Sequence, residues 1–140
     1  MPKNLLAALH LRFAELAARP LEPVVVAVLD SGIDATHPDL TGKIQAAYAV
    51  EKHEGGFRVV EGPVPANQDL YGHGTAVAGI IAGIAPNARL IDIRVLDALN
   101  VGEGEALVAG LGFAVAQKFR VLNLSLAAKA AFAAKLHPLC

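Results

Sequence analysis

The chain has 140 residues, 54% of them hydrophobic and 18% charged, a balance that suits one domain with a buried core and excludes a disordered tail. Lysine and arginine number 12 against 13 acidic residues, so the net charge is −1 and no basic block is present to attract nucleic acid. No uncharged apolar run is long enough for a membrane-spanning helix, and the single cysteine, Cys140, cannot form an internal disulfide.

Leu5, Leu9, Phe13 and Leu16 recur at helical spacing, with Arg12, Glu15 and Arg19 opposite them, and Pro20 and Pro23 close the pattern. This predicts an amphipathic N-terminal helix. Its charges interrupt the apolar core that a signal peptide needs, so no signal peptide is expected and a cytoplasmic location is favoured. Residues 1–23 therefore read as helix and linker, and residues 24–140 as the domain.

Val24-Val25-Val26-Ala27-Val28-Leu29 is continuously apolar, the pattern of a parallel strand covered on both faces. Residues 41–70 are less regular: Tyr48 to Val50 and Phe57 to Val60 flank Glu54-Gly55-Gly56, which predicts a surface hairpin, and Gly62-Pro63-Val64-Pro65 predicts an extended loop. A helix starts near His73. Leu90 to Leu96 and Arg120 to Leu124 read as further strands, joined by a helix from about Glu103 to Gln117. Lys129 to Leu136 is an Ala-rich helix that stops at Pro138. Strands alternating with helices predict a three-layer α/β/α fold with a mostly parallel sheet and right-handed crossovers. The alternation stops where another strand is due, so the sheet is expected to be incomplete on its C-terminal side.

Asp30-Ser31-Gly32 follows the first strand, and open α/β sheets place their working residues at such carboxyl ends. Gly32 permits a tight turn there. Taken alone, Asp-Ser-Gly is more often just a turn. Gly72-His73-Gly74-Thr75 is sharper, because glycines on both sides let other backbone or a substrate approach the imidazole. The helix it opens is small and apolar all round, which predicts burial on every side. The positive end of the helix dipole disfavours a charged ring, as a general base requires. A carboxylate at one ring nitrogen would orient that base and stabilise the imidazolium that forms. The plainer alternative is a structural histidine at the start of a core helix.

In this order, Asp30-Ser31-Gly32-Ile33-Asp34, His37-Pro38-Asp39-Leu40, His73-Gly74-Thr75-x-Val77-Ala78-Gly79, Ala85-Pro86-Asn87-Ala88 and Val121-Leu122-Asn123-Leu124-Ser125-Leu126 resemble the N-terminal half of the catalytic domain of subtilisin-like serine peptidases. The resemblance runs from about Val24 to Leu126. It implies a subtilisin-like fold and peptide-bond hydrolysis by an Asp-His-Ser triad, with Asp30 orienting His73 as base and later acid. It also implies that Gly102-Glu103-Gly104 and Ser125-Leu126-Ala127 sandwich an extended peptide or protein substrate through backbone groups. Ala127 replaces the glycine usual in the family, a change expected to narrow the floor of the specificity pocket. Asp39 matches a position that binds calcium in many relatives. The helix after His73 runs straight into Ala85-Pro86 without the longer calcium loop, so no tight metal site and no cofactor are expected.

The serine and the oxyanion asparagine of the family have no counterpart. The chain holds two serines, Ser31 beside the acid and Ser125 on the substrate edge, and no Gly-x-Ser follows His73. A chain with acid and base but no nucleophile is expected to be inactive alone, the remainder coming from a missing C-terminal half. The other class of reading is a non-catalytic module that binds peptides by β-addition or assembles with itself. A nucleotide-binding domain is disfavoured, since no glycine-rich phosphate loop follows the first strand.

Overall fold

The computed structural model describes residues 22–140 and, before them, residues 7, 8, 10–12, 14, 15 and 18. The stripe Leu5, Leu9, Phe13 and Leu16 lies outside the described residues, as do Arg19 and Pro20. Arg12 and Glu15 are helical and exposed, 3.5 Å apart as an ion pair.

Among the described residues, five strands form one mixed sheet: β1 Val25–Asp30, β2 Ile44–His53, β3 Gly56–Gly62, β4 Arg89–Arg94 and β5 Val121–Asn123, in the order β3-β2-β4-β1-β5. β4, β5 and β2 run parallel to their neighbours β1 and β4, and only β3 is antiparallel. Two helices cover the sheet, α1 His73–Ile84 and α2 Gly104–Ala116, and a short α3 spans Ala133–Leu136.

The continuous apolarity of β1 has a direct cause. Val26 and Val28 pack with Leu90, Ile33, Ala78 and Ala82 on the α1 face. Ala27 and Leu29 pack with Ile91, Ile93, Leu107 and Leu111 on the α2 face. A strand with a helix on each side has no polar face to show. The result is the expected three-layer α/β/α arrangement.

Three expectations need correction. The hairpin is more than a surface feature, because β2 extends back to Ile44 and pairs with β4, placing Tyr48 opposite Ile93. Its apolar residues Ile44, Ala47 and Ala49 are buried. The Ala-rich C-terminal segment is not one helix: a 3-10 turn at Ala130–Phe132 precedes α3, and another at His137–Leu139 follows it. Two turns without side-chain caps gain little from alanine propensity, and the Phe132 ring is committed to the space beside Gly104. Finally, α1 is not buried all round. Gly74, Ala78 and Ala82 face the sheet, whereas Ile80 and Ile84 on the outer face are 64% and 50% exposed. The sheet supplies cover for one side only.

Candidate active site

The C-terminal ends of β1, β4 and β5 share one edge of the sheet, since Asp30 lies opposite Arg94 and Val28 opposite Asn123. That edge carries Asp30, the segment 95–104 and the segment 124–127. The backbone of Asp30 is gripped by the segment that leaves β4, with the amides of Val95 and Leu96 donating to its carbonyl at 2.9 and 3.2 Å. Its carboxylate is 1% exposed and accepts the Ser31 amide at 2.7 Å.

Asp30 and His73 meet. His73 Nδ1 lies 2.8 Å from Asp30 Oδ1 and 3.0 Å from Oδ2, a fork that fixes the ring plane and leaves Nε2 as the other nitrogen. The His73 side chain is 38% exposed, so the ring stands at the surface while its partner is sealed beneath it. A buried carboxylate that holds Nδ1 makes Nε2 the proton-accepting end of a neutral imidazole.

Two glycines make this approach possible. Gly74, the residue after the histidine, packs so closely on the carbonyl of Gly32 that any Cβ would overlap it. Gly32 has φ +103, and a Cβ there would lie 2.5 Å from the carbonyl oxygen of Gln68. The turn after the acid and the loop before the base thus touch backbone to backbone.

Two aspartates not singled out in the sequence hold these segments. Asp69 Oδ1 accepts Ser31 Oγ at 2.9 Å and the amides of Tyr71 and Gly72 at 3.1 and 2.8 Å. Its Oδ2 accepts the Thr75 amide at 3.0 Å and Thr75 Oγ1 at 2.5 Å. Burial pushes Asp69 up, but the bonds from Thr75, Gly72 and Ser31 outweigh it and hold the group below the usual carboxylate range. Asp69 therefore holds the first turn of α1 from four residues before the histidine, satisfying the otherwise free amide of Thr75.

Asp92 lies in the middle of β4 and is 1% exposed. Its Oδ2 accepts the Ile33 amide at 2.9 Å and Gln68 Nε2 at 2.6 Å. Burial pushes its carboxyl up to about 7, against the partial opposition of those two bonds. The charge interrupting Leu90-Ile91-Asp92-Ile93 was its signal in the sequence.

The two expected substrate segments also come together. Gly102, Glu103 and Gly104 form one side of a groove of about 480 Å³, and Leu126 and Ala127 form the other. Val95, Leu96 and Leu107 give it an apolar floor. Phe132 reaches into it and lies against Gly104. Ser125 is close in sequence, but its hydroxyl donates to Asn123 Oδ1 at 2.9 Å rather than lining the groove. Glu103 is an exposed groove wall paired with Lys52 Nζ at 3.0 Å. Ala127 is exposed.

Asp39 is an exposed residue whose amide donates to His37 Nδ1 at 3.2 Å. Among the described residues no group of three or more His, Cys, Asp or Glu side chains gathers to hold a metal ion.

A buried carboxylate at the rim of an α/β sheet thus holds the imidazole at the start of the neighbouring helix. Comparison with known proteins gives this arrangement a family. The subtilase family model matches residues 22–136, and the chain belongs to that family, as a part of the N-terminal region of its catalytic domain. Subtilisin E of Bacillus subtilis (strain 168) is 37% identical over 112 residues, which cover 74% of this chain and 26% of that protein. The major intracellular serine protease of the same organism is 37% identical over 113 residues, covering 74% of this chain and 34% of its own length. The chain thus spans about a quarter to a third of these curated relatives. A cold adapted subtilisin-like serine proteinase of known structure superposes with a TM-score of 0.59 at 22% identity, over 83% of this chain and 42% of that one. That likeness shows the fold.

Proposed function

We propose that this chain supplies the acid, the base and the peptide groove of a subtilisin-like serine endopeptidase. The observation that carries the reading is the 2.8 Å contact between His73 Nδ1 and the buried Asp30 carboxylate, made beside a groove of the right kind for an extended chain. In this reaction Nε2 takes the proton of an attacking serine and returns it to the leaving amine, while Asp30 steadies the imidazolium. The groove adds the substrate as a strand along the backbone of residues 102–104 and 125–127.

The nucleophile comes from outside the 140 residues. Ser31 Oγ is engaged with Asp69 and with the Gly74 amide, and Ser125 Oγ with Asn123, so neither hydroxyl is committed to His73. Without the serine and the oxyanion donors the chain is inactive. The partner that completes it is a C-terminal half carrying both. Support comes from the exposed apolar face at Ile80 and Ile84 and from β5, which pairs on one side with β1.

An alkyl fluorophosphonate probe and an unfolded protein substrate test this reading together. The chain alone is expected to give neither labelling nor hydrolysis. Extending it with the C-terminal segment of a related subtilase restores both, and His73→Ala in that extended chain abolishes them. Stoichiometric labelling of the 140-residue chain, or an extended chain indifferent to His73, overturns it.

A peptide-binding module without chemistry remains the second reading, favoured by one observation: both walls of the groove are formed within this chain. Binding of unstructured peptides with the same strength by the chain and its His73→Ala variant, with no hydrolysis by the extended chain, selects it.

A further inference from the structure

Asp92 has no place in the proposed chemistry, yet its position is costly. Its neighbours along β4, Leu90, Ile91 and Ile93, are wholly apolar and buried. A carboxyl group in such a place is retained only where it satisfies donors that would otherwise be orphaned. It satisfies two. The Ile33 amide belongs to the turn that leaves β1 just after the acid, beyond the reach of strand pairing. Gln68 Nε2 belongs to the loop that leads to the base, and also donates to the Tyr48 carbonyl at 3.0 Å. The same two segments meet directly, with the Gln68 amide 3.3 Å from the Ile33 carbonyl.

We propose that Asp92 is a positioning residue for the Asp30–His73 pair: from the floor of the sheet its carboxyl group ties the turn after the acid to the loop before the base, and so sets the spacing between the two. The inference rests on reading Asp30 and His73 as acid and base, but its test watches the ring itself and needs no hydrolysis.

The geometry gives each oxygen a different part. Oδ2 holds both donors, while Oδ1 is buried without a partner among the described residues. An amide in place of the carboxyl keeps the accepting oxygen and puts its NH2 where Oδ1 stood. Asparagine should therefore preserve the tie, and alanine should cut it. The charged groups acting on Asp92 are Asp69, from the loop before α1, and Arg94, two residues along β4; burial and Asp69 favour its neutral form and Arg94 its charged form. The neutral form is the one that asparagine imitates.

When Asp92 is removed, the turn and the loop keep their direct hydrogen bonds, from the Gln68 amide to the Ile33 carbonyl, from the Ala35 amide to the Ala66 carbonyl and from Ser31 Oγ to Asp69, and lose the tie to the floor of the sheet. The fork between His73 Nδ1 and the Asp30 carboxylate then opens more often. That opening is visible as solvent exchange of the Nδ1 proton, which resonates at low field while it is bonded to a carboxylate.

The experiment uses the whole 140-residue chain, labelled with nitrogen-15, and records the His73 Nδ1 proton and its exchange with water. In Asp92→Ala the low-field resonance is expected to broaden or vanish, with exchange about tenfold faster or more. Asp92→Asn restores the resonance and the slow exchange. Gln68→Ala removes one of the two donors at a half-buried site and is expected to speed exchange in the same direction by a smaller factor. An unchanged Nδ1 proton in folded Asp92→Ala overturns the proposal, as does an asparagine variant that fails like alanine. Should the alanine variant not fold, an unchanged resonance in Gln68→Ala overturns it by itself. A wild-type chain with no low-field Nδ1 proton at all would instead sink the acid–base reading beneath it.

Discussion

Ser31 Oγ stands between two groups: it donates to Asp69 Oδ1 at 2.9 Å and accepts the Gly74 amide at 2.9 Å. The serine next to the acid is thereby a joint between the Asp-Ser-Gly turn and the start of α1. Ser31→Ala leaves the buried Gly74 amide without an acceptor, while Asp69 keeps its bonds from Tyr71, Gly72 and Thr75. An orphaned buried donor costs about 1–3 kcal/mol. Urea denaturation should show a loss of that size, with an unchanged slope. A larger loss, or none, would mean that the joint carries a different share of the contact.

Gly74→Ala should be more damaging. The added methyl would overlap the Gly32 carbonyl, which is backbone and cannot rotate away, and would press on the Asp30 side chain. Overpacking against main chain costs roughly 3 kcal/mol. Because the strain falls between acid and base, the expected variant is both less stable by urea denaturation and lacking the low-field His73 proton. Gly79→Ala in the same helix meets nothing within 4 Å and serves as the matched control, expected to be neutral or slightly stabilising.

Two buried carboxylates give opposite pH dependences. Asp92 is raised from 3.8 to about 7, so the folded state holds its proton after the unfolded chain has released it. Its contribution to stability is full below the unfolded value and declines as pH rises through about 7, by on the order of a few kcal/mol. Asp69 is lowered from 3.8, so its contribution is present above that value and is lost as pH falls through the folded one. Thermal melts from pH 3 to pH 8 of the wild type and of Asp92→Asn should diverge progressively, with the asparagine variant gaining relative stability toward pH 8. Asp69→Asn should lose stability at neutral pH and approach the wild type in acid. Parallel curves for Asp92→Asn and the wild type would mean that the carboxyl is not kept neutral.

Much of this arrangement was legible because it follows from local pattern. An apolar run with no polar face required a helix on each side of β1, and glycine on both sides of His73 marked a close approach that Gly32 completes. What escaped were pairings across the chain. Asp69 and Asp92 matter through donors far away in sequence, Ser31 and Ile33, which no window of neighbouring residues displays. The local pattern starts β2 too late because its first residues, Ile44 to Ala46, pair with β4 and not with the hairpin partner. The burial of α1 was over-read for a related reason. An apolar composition states what a helix can cover, and the cover itself must come from other residues.

That exposed face makes a final prediction. Ile80 and Ile84 lie one turn apart on the outer side of α1, and Leu70 and Tyr71, just before the helix, are exposed as well. Unshielded isoleucines at i and i+4 form a single apolar strip, which water disfavours and a second apolar surface would cover. The isolated chain should therefore associate in a concentration-dependent manner. Ile80→Lys with Ile84→Glu should suppress the association in sedimentation velocity. Since neither side chain is buried, the pair should alter monomer stability by only about 0.5 kcal/mol each. The opposite signs of the new charges keep them from repelling one turn apart. In a chain extended by the C-terminal half, the same double substitution should block labelling by a fluorophosphonate probe, because the face would then be needed inside the molecule. Full labelling of that extended variant would show that the strip is covered by nothing in the extended chain, and that association of the isolated chain has another cause.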